Sequence, residues 1–143
     1  MNLNQRDLYI IKEFKDCMIA LASNPLAQIK SELPGCITDD LLINFETYYK
    51  EFIKLQSLKL SEMQLFLLSE IDKVSDEMDV EPLYIYSVED IEISNYKEIL
   101  ESEEWNKIRK YSNEFLESMK WGLVELNRFT QVSKDVWNKE RKT

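Results

Sequence analysis

At 143 residues, 44% hydrophobic and 11% aromatic, the chain can bury roughly two-thirds of its unfolded surface in one domain, which excludes disorder as its default state. Two glycines and three prolines leave few φ > 0 positions, which argues against all-β folds and glycine-cradled phosphate sites. With no histidine and a net charge of −9, Ser-His-Asp and Cys-His nucleophilic systems and Glu-x-x-His di-iron bundles are excluded, and nucleic acid is an unfavourable partner.

Residues 5–22 carry apolar side chains at 10, 11, 14, 17, 18 and 21, the stripe of an amphipathic helix, with Asn4 as its N-cap. Arg6, Asp7, Lys12, Glu13, Lys15 and Asp16 interrupt any apolar core of a signal peptide, so none is expected here. No run approaches the roughly 18 apolar residues of a membrane span. Cys17 and Cys36 make no disulfide framework and no zinc-ligand spacing, which points to reduced thiols and a cytoplasmic location.

Asn24-Pro25 and Pro34-Gly35 bracket one short helix over residues 26–33. Thr38, followed by Asp39 and Asp40, predicts a helix start, and residues 39–57 carry a stripe of Leu41, Leu42, Phe45, Tyr48, Tyr49, Phe52 and Ile53. Ser61 and Gln64 form a capping box that opens a helix over 62–78. Its first two turns are apolar on most faces, which suits the middle of a bundle or a homodimer interface through residues 63–71.

Residues 81–94, EPLYIYSVEDIEIS, do not read as a plain helix. Leu83 and Ile85 alternate with Tyr84 and Tyr86, the period of a half-buried strand. Ser87 through Asp90 reads equally as a capping box. The two signals together predict a connector with one short extended segment, its aliphatics on the core and its tyrosines at the surface. A long helical pattern then runs over 102–129, with Trp105, Ile108, Phe115, Leu116, Met119, Leu123, Leu126 and Phe129 near one face and Gly122 inside it. Trp105, Trp121 and Trp137 recur every 16 residues, which turns a helix by about 160°. They therefore form no stripe, and Trp121 is expected to meet a different neighbour from Trp105. Ser133 is placed to cap a last short helix. The fold class expected is all-α: a single-domain bundle, 1–143, of about five or six helices with one irregular or short extended segment near 81–94.

Charge is distributed unevenly. Residues 61–105 hold two basic and fourteen acidic side chains, net −12, whereas 106–143 are net +4 and 1–60 net −1. Concentrated like charge costs stability through self-repulsion and, where it is not simply a solvated face, steers a basic partner onto the surface. Tyrosine combines a large contact area with a polar tip, which suits it to anchor such a contact. The partner-binding residues expected on these grounds are Asp76, Asp79, Glu81, Tyr84, Tyr86, Glu89, Asp90, Glu92, Glu101 and Glu104.

No P-loop, dinucleotide or EF-hand motif is present. Carboxylate chemistry with Mg²⁺ survives elimination: Asp72, Asp76 and Asp79, and Glu98, Glu101 and Glu104, are spaced to line one helical face each. The all-α nucleotide pyrophosphohydrolases use Glu-x-x-Glu and Glu-x-x-Asp pairs in this way, but here the pair identities and their order differ. The expectation is therefore a non-enzyme without metal or cofactor: an acidic protein that binds a basic protein. The concrete form is an immunity protein or antitoxin masking a basic toxin, such as a nuclease. The alternatives are a self-associating regulatory or scaffolding bundle, a DNA-mimic inhibitor, and a Mg²⁺-dependent nucleotide hydrolase.

Overall fold

The computed structural model describes residues 3–79 and 81–121. The elements run α1 (Gln5–Ala22), α2 (Pro25–Glu32), β1 (Gly35–Cys36), α3 (Ile37–Gln56), α4 (Glu62–Glu77), β2 (Tyr84–Ile85), α5 (Val88–Ile93), α6 (Tyr96–Leu100) and α7 (Glu103–Met119). The all-α expectation holds, with seven helices among the described residues and one minimal sheet. No helix among them is long and apolar enough to cross a membrane.

Helix starts follow the local chemistry. The Asn4 side chain accepts the Asp7 N–H at 2.8 Å, and Ser61 Oγ accepts the Gln64 N–H at 3.1 Å while Gln64 Oε1 accepts the Ser61 N–H at 2.8 Å. These bonds satisfy donors that a helix leaves without an internal partner. Thr38 behaves otherwise than its sequence suggests. Helix α3 begins two residues earlier than expected, at Ile37, with Cys36 as an N-cap that makes no side-chain bond. Thr38 is buried, and its hydroxyl accepts the Leu83 N–H at 3.1 Å.

The four long helices carry the core: α1 packs against α3 and α7, and α7 packs against α4. The apolar stripes of α1, α3 and α7 meet at Phe14, Phe45, Phe52 and Phe115, all fully buried. The Phe14 and Phe52 rings stack with centroids 4.4 Å apart, and both meet Phe115 edge to face. Such pairs contribute about 0.5–1.5 kcal/mol each beyond the area they bury. Trp105 is fully buried at the start of α7.

The helix expected to run through 129 ends at Met119. Lys120 adopts the left-handed conformation (φ 59°, ψ 30°) and its N–H bonds to Glu117 O. The Trp121 N–H returns to Leu116 O at 3.0 Å, which completes a Schellman cap. A lysine in this conformation costs about 1 kcal/mol or more. Burial offsets that cost: the Trp121 ring packs edge-on against Phe115 and Phe52, at 5.7 and 5.9 Å between centroids, with the Lys15 ammonium 5.9 Å from it. Trp121 thus packs on the aromatic core. Leu123, Leu126, Phe129, Gly122, Trp137 and the Ser133 cap lie outside the described residues.

Candidate functional site

The segment 81–94 resolves its two conflicting signals by using both in turn. Residues 84–85 form β2, antiparallel to β1, with Gly35 opposite Ile85 and Cys36 opposite Tyr84. The Ile37 N–H donates to Leu83 O at 2.7 Å, and the Thr38 hydroxyl holds the Leu83 N–H, so the strand is fixed to the start of α3 through both backbone polar groups of one residue. Leu83 and Ile85 are buried in the core. Strand alternation then requires Tyr84 and Tyr86 to face outward. The Asp90 carboxylate accepts the N–H groups of Tyr86 and Ser87, at 3.1 and 3.2 Å, which stops the strand and opens α5.

The result is a pair of tyrosines standing side by side in solvent. Tyr84 is 55% exposed and Tyr86 63% exposed, and their rings are close to parallel, 15° apart, with centroids separated by 6.4 Å. Val88 and Ile93 are also exposed on the same segment. Glu81, Glu89 and Glu92 are exposed carboxylates in the same segment, and no lysine or arginine occurs between residues 74 and 96. The Tyr84 phenol is held above its ordinary pKa, first by the charge of Cys36 and further by Asp39 in the first turn of α3.

The ten residues singled out from sequence fall in more than one place. Glu81, Tyr84, Tyr86, Glu89, Asp90 and Glu92 belong to this segment. Within it Glu81 accepts the Asn95 side-chain amide at 3.2 Å, and Asp90 is occupied with the turn just described. Asp79 is exposed on the connector that follows α4. Asp76 stands instead with Asp72 and Glu46, whose carboxylate oxygens lie within 4.8 Å of one another between α4 and α3. Glu101 caps the end of α6 and Glu104 lies in the first turn of α7.

The expected acidic faces are therefore broken. Asp79 lies past the end of α4, and the chain leaves its helix between Glu101 and Glu103, so neither triplet lines one continuous helix. The grouping that does form, Glu46 with Asp72 and Asp76, needed a residue from another helix, which helical spacing cannot reveal. Burial raises the Asp72 carboxyl above its ordinary pKa, the charges of Asp76 and Glu46 raise it further, and Lys50 opposes them. These three oxygens have the spacing to bridge a divalent cation, on a solvent-facing surface.

Two more features border the tyrosine segment. A groove of about 670 Å³ runs between α2 and α5–α6, lined by Leu26, Lys30, Val88, Ile91, Glu92 and Tyr96 among others. Two lysines, Lys30 and Lys97, and two glutamates, Glu92 and Glu98, line it. On α4, Leu67, Leu68 and Ile71 are buried, whereas Met63 and Phe66 are exposed, Phe66 by 53%. The apolar excess in that helix is thus divided between the core and a two-residue solvent patch. No family model, characterised protein or solved structure matches the chain.

Proposed function

We propose that this chain is a binding protein whose surface around Tyr84 and Tyr86 engages a basic protein. The observation that carries the reading is the exposed tyrosine pair, anchored from beneath by Leu83 and Ile85 and bordered by carboxylates with no cation in the segment. A fixed backbone under exposed aromatic rings lowers the ordering cost of binding. Surrounding charge of one sign steers a partner of the opposite sign. In its specific form, the partner is a basic toxin, such as a nuclease, and the chain is a cytoplasmic immunity protein or antitoxin that covers the toxin's working surface. Small size, concentrated acidity and surface tyrosines support that form.

The test starts with capture of the tagged chain's partner from lysate of the source cells at low salt, with release by a salt step. Affinity and association rate are then measured on the purified partner. Tyr84→Ala and Tyr86→Ala should each weaken binding by roughly tenfold or more. Glu89→Gln with Glu92→Gln should slow association and flatten its salt dependence. Unchanged binding in all of these variants would sink the reading. Competition with DNA for several unrelated basic proteins would instead mark the carboxylates as stand-ins for phosphates.

Exposure of Met63 and Phe66 favours a second reading, self-association through α4. It requires a light-scattering mass that rises with concentration and that Phe66→Glu returns to the monomer value. A mass independent of concentration removes it.

A further inference from the structure

We infer that Tyr84 and Tyr86 form a receptor for a single arginine side chain of the partner, with the planar guanidinium held against or between the two rings. The inference rests on the proposed function and names the group that this surface reads.

The geometry carries it in three steps. First, residues two apart on a strand present parallel side chains to one face, and here the strand is fixed by the β1 pairing below and by Asp90 above. The rings are held 15° from parallel with centroids 6.4 Å apart. A planar group needs about 3.5 Å to each face it touches, so a guanidinium between the rings requires the pair to open from its 6.4 Å centroid separation, whereas stacking on one exposed ring face requires no such opening. Second, neither phenol ring is covered by the core, since both residues are more than half exposed. Third, the segment that carries the pair holds carboxylates and no lysine or arginine. Glu81 and Glu89 flank the pair in sequence, and Asp39 is close enough to Tyr84 for its charge to act on the phenol.

Ring faces attract cations through the quadrupole, and arginine does this better than lysine because its flat, weakly hydrated head stacks while still donating to carboxylates. An ammonium group is a compact, strongly hydrated charge and gains less from a flat aromatic face. The surface therefore discriminates between the two basic side chains, a property that carboxylates alone would not give it.

The experiment uses the full chain and two probe peptides, acetyl-Gly-Arg-Gly-amide and acetyl-Gly-Lys-Gly-amide, titrated against the tyrosine ring resonances by NMR at low salt. The arginine peptide should move the Tyr84 and Tyr86 ring signals saturably and bind about two- to five-fold more tightly than the lysine peptide. Tyr84→Phe should keep that preference, and Tyr84→Leu and Tyr86→Leu should abolish it while the helical circular dichroism stays unchanged. Equal response to the two peptides, or none at the ring signals, overturns the inference. If partner binding still depends on Tyr84 and Tyr86 in that event, the proposed function stands and only the arginine assignment falls.

Discussion

The Arg109 guanidinium on α7 donates to Gln28 Oε1 on α2 at 2.6 Å, and Gln28 Nε2 donates onward to Leu21 O at 3.0 Å. Gln28 is fully buried, and Arg109 also donates to Leu100 O and to Asn106 Oδ1. One side chain thereby fastens α2, α6 and α7 beside the segment that carries the tyrosines. Burial lowers the Arg109 pKa, and the charge of Glu101 acts against that shift. Arg109→Met should cost about 2–3 kcal/mol, because it leaves buried acceptors without a donor. Gln28→Leu added to Arg109→Met should recover part of the loss. Urea denaturation of the two singles and the double gives the coupling, and additive losses would mean that the two side chains act independently.

Gly35 sits at φ 135°, a region that side-chain-bearing residues rarely enter. A Cβ there would lie 3.4 Å from Asp40 Oδ2, so the obstacle to substitution is the backbone rather than space. Gly35→Ala should destabilise the fold by about 1–2 kcal/mol. Because Gly35 pairs with Ile85, the damage should concentrate at β2. Hydrogen exchange at residues 83–86 should accelerate more than in α1 or α7, and uniform acceleration would contradict the local account.

The Asp72 carboxyl provides a pH test. Its folded pKa is raised above the ordinary value, so the folded state holds that proton more tightly than the unfolded chain does. Ionisation at neutral pH therefore opposes folding, and the opposition is relieved as pH falls through the raised value toward the ordinary carboxylate range. Asp72→Asn should raise stability at pH 7 by a few tenths of a kcal/mol, a small figure because solvent screens this partly exposed site. It should also remove part of the gain in stability on mild acidification. Denaturation midpoints of both proteins between neutral pH and the carboxylate range decide it, and parallel curves would exclude Asp72 as a source.

Ser112 Oγ, fully buried on α7, has no hydrogen-bond partner among the described residues. An unmatched buried hydroxyl is a desolvation cost with no return. Ser112→Ala should therefore stabilise the protein by about 1 kcal/mol, aided by alanine's higher helix propensity. A destabilised variant would show that the hydroxyl has a partner in solution, such as a water molecule.

The four long helices and α2 were legible in the sequence because each obeys a local rule, whereas α5 was read only as an alternative capping box and α6 was not read. The N-cap at Asn4, the capping box at Ser61 and the stripe from Leu41 to Ile53 can all be read within a turn or two. The outward tyrosines were equally legible, because alternation at residues 83–86 leaves the side chains only two faces. What stayed hidden depends on distant partners. Thr38 looks like a cap, yet it turns inward because Leu83 arrives from the other half of the chain. Lys120 gives no signal for a helix stop, since the left-handed turn is supported by the packing of Trp121 on Phe52 and Phe115. Glu46 joins Asp72 and Asp76 across two helices. The breaks that undo the two acidic triplets, by contrast, fall within a residue or two of the helix end at 78 and the helix start at 102 read from the sequence.

The pairing of Gly35 with Ile85 and Cys36 with Tyr84 has a temporal consequence. Contacts between such remote parts of a chain form slowly, because a long loop must close before they are rewarded. During synthesis, β1 and the start of α3 emerge long before the strand that docks on them. The tyrosine pair can be presented only after both halves have met, so a truncated or half-folded chain would display no correctly spaced rings. Recognition at this surface would then double as a proof that the bundle beneath it is complete.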